Sequence, residues 1–406
     1  MSSDPDTPRR TVGRTPLMGL ATLMERVFAG AGLGPLAQRL IDRASADPED
    51  AEALLDLSSA LYLANNPDLA RATQEQALAI RRLYSLARPA DPPGLRVLAI
   101  MAPGEPSANT PVDFLVENSD VALDLYYLVP GRPEAPPVDD YDRIFVAVGE
   151  SDRNAPILRE AEALLAGCAC PVLNAPAHIA RLSRDHVFAA LHSAPGIVVP
   201  ATARVGRHAL EGIAARGPAA HPVVEGAGFP IVVRPVGSHA GRGLAKLDAP
   251  SALPEYLRTA PGDEFYAMPF VDYRGADGLF RKYRVVLIGG RPYACHMAIS
   301  DHWMIHYLNA GMGESAAKRA EEARFFARFE EDFARRHHDA LRTLGEGVAL
   351  DYFGIDCGET ATGELLIFEV DSALIVHALD PVDLYPYKPP QMRKVFDAFR
   401  ALLGAG

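Results

Sequence analysis

Phe229-Pro230-Ile231-Val232-Val233-Arg234-Pro235-Val236-Gly237-Ser238-His239-Ala240-Gly241-Arg242-Gly243-Leu244 is the stretch on which the fold turns. An apolar run, read as a strand, delivers Arg234 at its end and passes into a loop holding Gly237, Gly241, Gly243, Ser238 and a second cation, Arg242. Glycine lets backbone N–H groups approach a polyphosphate closely, and arginine neutralises it through two parallel hydrogen bonds. Hairpin turns look similar, so the loop points to phosphate only where a cation site accompanies it.

Such a site is written downstream. Leu350-Asp351-Tyr352-Phe353-Gly354-Ile355-Asp356-Cys357 and Glu364-Leu365-Leu366-Ile367-Phe368-Glu369-Val370-Asp371 flank Thr360-Ala361-Thr362-Gly363, a β-hairpin signature. Residues two apart on a strand share a face, so Glu369 and Asp371 project together and Asp356 on the partner strand reaches them. Three converging carboxylates repel one another unless a cation binds, and oxygen-only ligands favour Mg²⁺.

Upstream, Leu95 to Met101 and Arg143 to Val148 read as buried strands, a helix follows over 155–165, and a short strand over 171–174. Strands alternating with helices predict a small open parallel sheet, whose ligands sit beyond the strand C-termini. Glu105, Ser107, Asn109, Thr110, Glu150, Asp152 and Asn154 are there either as substrate contacts or as ordinary solvated loop residues. No GxGxxG follows either strand, so a nicotinamide or flavin cofactor is not expected.

Residues 16–88 read as successive helices. Leu54, Leu57, Leu61, Ala70 and Ala77, with a turn at Asn65-Asn66-Pro67, resemble a tetratricopeptide repeat, although Ser58, Gln74 and Arg82 stand where that pattern has Gly, Phe and Pro. Fewer than three repeats cannot bury a continuous core, so these helices are expected to dock on the rest of the chain or on a protein or peptide partner. Residues 88–94, rich in Pro and Gly, form a linker.

The 406 residues carry 40 Lys plus Arg against 52 Asp plus Glu, a net charge of −12. That balance argues against nucleic-acid and polybasic membrane partners, and an anionic ligand must find a local basic pocket. Apolar runs of about five residues fall far short of the roughly 20 needed to span a bilayer. Residues 1–15 begin with charged side chains, lack the features of a secretory signal and are expected to be disordered. The four cysteines form no disulfide framework, so a cytoplasmic location is expected.

In order and in residues, positions 95–404 resemble the ATP-grasp superfamily, in particular the branch of glutathione synthetase and the ribosomal-protein glutamate ligase. The resemblance implies an α/β chain: a small sheet domain (95–180), then an ATP-grasp body of two α+β subdomains (181–404), here preceded by an all-α helical region (16–88). Phe265 to Asp272 matches the family's nucleotide hinge, implying that Met268 and Phe270 bracket adenine and Asp272 contacts ribose. Phe280 to Gly290 is similar to its arginine strand, with Arg284 the residue that holds the substrate carboxylate or acyl phosphate. Ser300 to Asn309 occupies the place of its active-site loop, Asn309 matching a catalytic Asn; His302 and His306 either bind substrate or pack. The family's two phosphate-binding lysines are replaced, one by Arg234 and one within Ser183-Arg184-Asp185-His186, where Arg184 supplies the charge that His186 lacks at neutral pH. Its last metal ligand, usually Asn, is Asp371, completing a proposed Mg²⁺ set with Asp356 and Glu369.

The activity implied is ATP-dependent ligation of a carboxylate and an amine, small molecules or peptides, through an acyl phosphate. Phosphoryl transfer to another acceptor, or a helical scaffold with an inactive nucleotide domain, are the rival readings. A homo-oligomer is also in keeping with the family resemblance.

Overall fold

The computed structural model describes residues 15–87, 93–132, 134–217, 228–238, 241–306 and 309–405. The expected disordered segment, apart from residue 15, and positions 88–92 of the expected linker lie outside them, as do His239, Ala240, Tyr307 and Leu308. The chain is mixed α/β, with helices at its start and three sheets after them.

Four helices open the fold: α1 (Gly19–Phe28), α2 (Gly34–Ala46), α3 (Ala51–Leu63) and α4 (Pro67–Ile80). The turn between α3 and α4 is made by Asn65 at φ 58°, a left-handed conformation that asparagine tolerates better than most residues. Strand β1 (Leu83–Ser85) then joins the first sheet, with β2 (Leu95–Met101), β3 (Val121–Tyr127), β4 (Arg143–Val146) and β5 (Val172–Leu173) in the order β1-β3-β2-β4-β5. The last four strands are parallel, as expected, while β1 pairs antiparallel with β3. Helices α5 (Val112–Leu115), α6 (Ala155–Leu165) and α7 (Pro176–Ile179) accompany this sheet.

The helical region is not a separate body. Leu54, Leu55, Ala77 and Tyr84 share one hydrophobic core with Val97 and Phe145 of the first sheet and with Phe396 and Phe399 near the C-terminus. The helices thus dock on the rest of the chain, one of the two placements expected for them. Asp56 of α3 ties the start of α1 to it by accepting the backbone N–H groups of Met18 and Gly19 at 3.0 and 3.3 Å. Burial outweighs those bonds and pushes the Asp56 carboxyl up from 3.8 to about 6. Because the folded chain holds this proton more tightly than the unfolded chain, the group favours folding below its ordinary pKa and loses that contribution as pH rises toward 6. Thermal melts between pH 4 and 7 are expected to fall less steeply for Asp56→Asn than for the wild type; identical slopes would contradict this account of Asp56.

After α8 (Arg184–Leu191) and β6 (Ile197–Val198) comes an antiparallel sheet of β7 (Ala203–Gly206), β8 (Ile231–Pro235), β9 (Ala245–Leu247) and β10 (Glu264–Pro269), ordered β7-β10-β8-β9. With α9 (Arg207–Arg216) and α10 (Leu253–Thr259) it encloses its own small core around Val205, Leu210, Val233 and Phe265. The third sheet, ordered β12-β11-β13-β14-β6, is built from β11 (Phe280–Ile288), β12 (Arg291–Ser300), β13 (Tyr352–Glu359) and β14 (Leu365–Asp371). It is antiparallel except for the β14–β6 pair. Helices α11 (Ala316–Ala327), α12 (Phe333–Arg336), α13 (His338–Val348) and α14 (Lys388–Gly404) complete the body. Among the described residues no helix is long and apolar enough to cross a membrane.

Candidate active site

The β13–β14 hairpin forms as expected, with a register shift between Asp356 and Cys357 beyond which Asp356 faces Glu369 and Gly354 faces Asp371. On the other side of β13, Arg284 of β11 lies opposite Asp356. The antiparallel sheet brings β8 and β10 to the same place, and a cavity of about 440 Å³ opens between the two sheets. Arg184, Arg234, Gly241, Met268, Phe270, Arg284, Asp356, Glu369 and Asp371, all expected at the site from the sequence, border it.

One end is apolar. Met268 and Phe270 lie on its wall with Trp303, whose ring meets Phe270 edge-on at 5.7 Å. The charged residues adjoin a second cavity of about 350 Å³, lined by Gly237, Ser238 and Arg242 of the glycine loop and by Glu105, Glu150 and Asp152 beyond the first sheet. Arg184, Arg234, Glu369 and Asp371 border both spaces.

The charges fall into two groups. Arg184 donates to the Phe368 carbonyl and, at 2.5 Å, to Glu369 Oε1. Arg234 donates to the Ser238 carbonyl and to Ser238 Oγ at 3.3 Å, folding the glycine loop back over its own strand. Burial, and next the nearby Arg184, pull Arg234 down to about 10. Two guanidiniums that repel each other beside a cavity form a place where an anion is stabilised. In the second group, Asp356 is only 3% exposed and accepts from Arg284 at 2.8 and 3.0 Å and from Lys282 at 2.7 Å. Burial by itself would raise its carboxyl, but Arg284 and Lys282 outweigh that and hold it well below the usual carboxylate range.

Asp371 behaves differently from Asp356 and Glu369. Burial, and then Glu369, push Asp371 up to about 7, whereas Arg184 and Arg234 overcome burial to keep Glu369 below its ordinary value. Glu150 is raised to about 7 by burial and by Asp371. A divalent cation would relieve the Glu369–Asp371 repulsion, so this pair fits Mg²⁺, which commonly takes one or two carboxylates together with phosphate oxygens. Asp356 is spent on Lys282 and Arg284. Among the described residues no three His, Cys, Asp or Glu side chains form a metal-ligand group, so the arrangement is a carboxylate pair beside an ion-pair cluster instead of the expected triad.

Several expected contacts lie elsewhere. His186 is exposed, its Nδ1 2.6 Å from Ser183 Oγ. Asp272 pairs with Arg274 at 2.5 Å, outside both cavities. Asn309 is exposed and accepts the His306 N–H at 2.9 Å, so its side chain shapes the loop instead of lining the cavity. Gly243 serves the shape of the turn, since at φ +68° it lies against Pro235, which an added Cβ would approach to 2.8 Å. Asn109 and Thr110 are buried, bonding the Ala102 backbone and the Ser372 carbonyl. Arg281 alternates to the opposite face of β11 and pairs with Asp277 and Glu321. Lys282, which the sequence groups with Arg284 among the cations around the cleft, lines the first cavity, as strand alternation from Arg284 implies. His302 is exposed, while His306 borders the cavity beside Trp303 and Met304.

No family model and no curated protein matches this sequence. Among solved structures the chain is similar to a RimK-domain ATP-grasp protein from Sphaerobacter thermophilus, at 16% identity and TM-score 0.44, covering 76% of this chain and 100% of that one. It is also similar to the VanG D-Ala:D-Ser ligase from Enterococcus faecalis (13% identity, TM-score 0.46) and to the D-cycloserine synthetase DcsG (12%, 0.43). Each of these two similarities covers 76% of this chain and 99% of the other.

Proposed function

We propose that this chain is an ATP-dependent carboxylate–amine ligase. The observation that carries the reading is a pair of adjoining cavities: the first has Met268, Phe270 and Trp303 on its wall, and the guanidiniums of Arg184 and Arg234 and the carboxylates Glu369 and Asp371 border both. A nucleoside triphosphate matches those surfaces: a flat base, a polyphosphate and its cation. Glu369 and Asp371 would hold Mg²⁺, which when bound neutralises phosphate oxygens.

In this reading Arg184 and Arg234 orient the β- and γ-phosphates, and the glycine loop lies over them. Lys282 and Arg284, anchored by Asp356, present their remaining donors to the substrate carboxylate. A carboxylate oxygen attacks the γ-phosphorus, the bond to the ADP oxygen breaks, and an acyl phosphate results. An amine nitrogen then attacks the carbonyl carbon, phosphate departs with the C–O electron pair, and the amine loses a proton to leave an amide. Positioning and charge neutralisation provide most of the acceleration in such phosphoryl transfers.

Trp303, the one tryptophan of the chain, lies on the cavity wall and reports occupancy directly. Titration with ATP and Mg²⁺ is expected to change its fluorescence saturably, and Phe270→Ala is expected to weaken the apparent affinity about tenfold. Fluorescence that does not respond to nucleotide would refute the placement of the base.

A further inference from the structure

The loop after β2 carries Glu105 and Ser107 to the wall of the second cavity, and it is held from outside the sheet. Gly104 sits at φ +149°, a conformation open to glycine and strained for other residues. Its backbone N–H donates to Gln74 Oε1 at 2.8 Å, and its carbonyl accepts from Gln74 Nε2 at 3.2 Å. The primary amide of Gln74 thus substitutes for a strand partner, offering one acceptor and one donor in a single plane. Gln74 comes from α4 and is 7% exposed. It is also one of the residues that depart from the repeat pattern, where phenylalanine would offer Gly104 no polar partner.

Behind the loop is a small cavity of about 70 Å³ in which Tyr62 of α3 and Gln74 meet Gly104 and Glu105. Beyond Gly104 the loop is tied further. Ala108 accepts from Gly149 N at 2.8 Å and from Asn154 Nδ2 at 3.1 Å, and Thr110 donates to the carbonyl of Ser372, next to Asp371. On its exposed side, Glu105 is 3.7 Å from Arg242 of the glycine loop. The helical hairpin, the substrate-side loop and the phosphate side of the site are therefore in continuous contact.

We propose that the α3–α4 hairpin is part of the ligand-binding machinery: Gln74 is a positioning residue that sets Glu105 and Ser107 on the wall of the second cavity and so governs which carboxylate or amine enters it. The word substrate here rests on the ligase reading; the positioning of the loop does not. Gln74→Met keeps length and flexibility but removes both hydrogen bonds, and Gln74→Glu keeps the acceptor for Gly104 N–H while losing the donor. Hydrogen exchange at the amides of residues 104, 105, 107 and 108 is expected to quicken at least about tenfold in Gln74→Met and less in Gln74→Glu, with α3 and α4 amides unchanged.

Assayed with ATP and a pool of the twenty proteinogenic amino acids, Gln74→Met is expected to raise KM for the preferred acceptor about tenfold or to change the product profile. The Trp303-reported affinity for ATP should stay within twofold of the wild type, and Gln74→Glu should recover part of the loss. Unchanged exchange in both variants would overturn the proposal, as would faster exchange with an unaltered KM and product profile. A wild type that forms no product overturns the ligase reading instead, and the exchange data then decide by themselves whether Gln74 positions the loop.

Discussion

Glu369→Gln is expected to lower ATP-dependent turnover by about 10²- to 10³-fold, the scale seen when one preorganised charge contact to a transferring group is lost. The substitution preserves shape and leaves an amide oxygen for Arg184, which now bonds Glu369 at 2.5 Å. What it removes is the charge that, together with Asp371, faces both cavities. It also removes a neighbour that raises Asp371, so the Asp371 carboxyl should titrate closer to its ordinary range in the variant. Steady-state turnover with ATP and Mg²⁺ measures the first effect. A variant retaining more than about a tenth of wild-type turnover would show that Glu369 is not a cation ligand.

Arg284→Met carries the second large effect, and it acts on two properties together. Asp356 would keep Lys282 but lose both guanidinium bonds, and a carboxylate as buried as this one, left undercompensated, destabilises a fold by about 3–5 kcal/mol. The same change removes the donor presented to the substrate carboxylate, so turnover should fall to background. Adding Asp356→Leu to Arg284→Met is expected to restore much of the stability, because no buried charge is then left behind, without restoring turnover. Denaturant melts and turnover assays on the two variants separate these roles. The sign with pH follows from the depressed Asp356 carboxyl: its contribution is present above the ordinary carboxylate pKa and is lost only as pH falls far below it. In Arg284→Met that loss should begin at higher pH.

Much of the site is legible in the sequence because it lies on strands. Period-two alternation places Glu369 and Asp371 on one face, and the hairpin brings Asp356 across from them, so three residues distant from the glycine loop can be grouped with it; the pairing of Asp356 with Glu369 itself is set by a register shift between Asp356 and Cys357, which the turn does not encode. What alternation cannot say is which charge each carboxylate meets. Asp356 is claimed by two cations of β11, a pairing set by the register between strands about 70 positions apart and so outside any local pattern. Loop residues are the least readable. Asp272, Asn309 and His186 are held by neighbours two or three positions away, the local side-chain bonding that polar residues make readily in turns. Strand β3 does not stand out in the sequence: its Asp124 interrupts the apolar run, and only the fold reveals that this carboxylate is buried and accepts the Tyr141 hydroxyl at 2.7 Å. The helices at the start are recognisable as helices, but nothing in their spacing tells that Leu54 and Ala77 belong to the core of the first sheet, or that the chain after them, at Tyr84, becomes a strand of that sheet.

The central claim is that the energy of ATP is used to join a carboxylate to an amine, and the product's mass tests it most directly. With ATP, Mg²⁺ and pooled amino acids and dipeptides, mass spectrometry is expected to reveal a species equal to two pool members less one water, formed in step with equal amounts of ADP and phosphate. A phosphorylated pool member accompanying ADP, with no condensed species, would contradict the claim and make the chain a phosphotransferase.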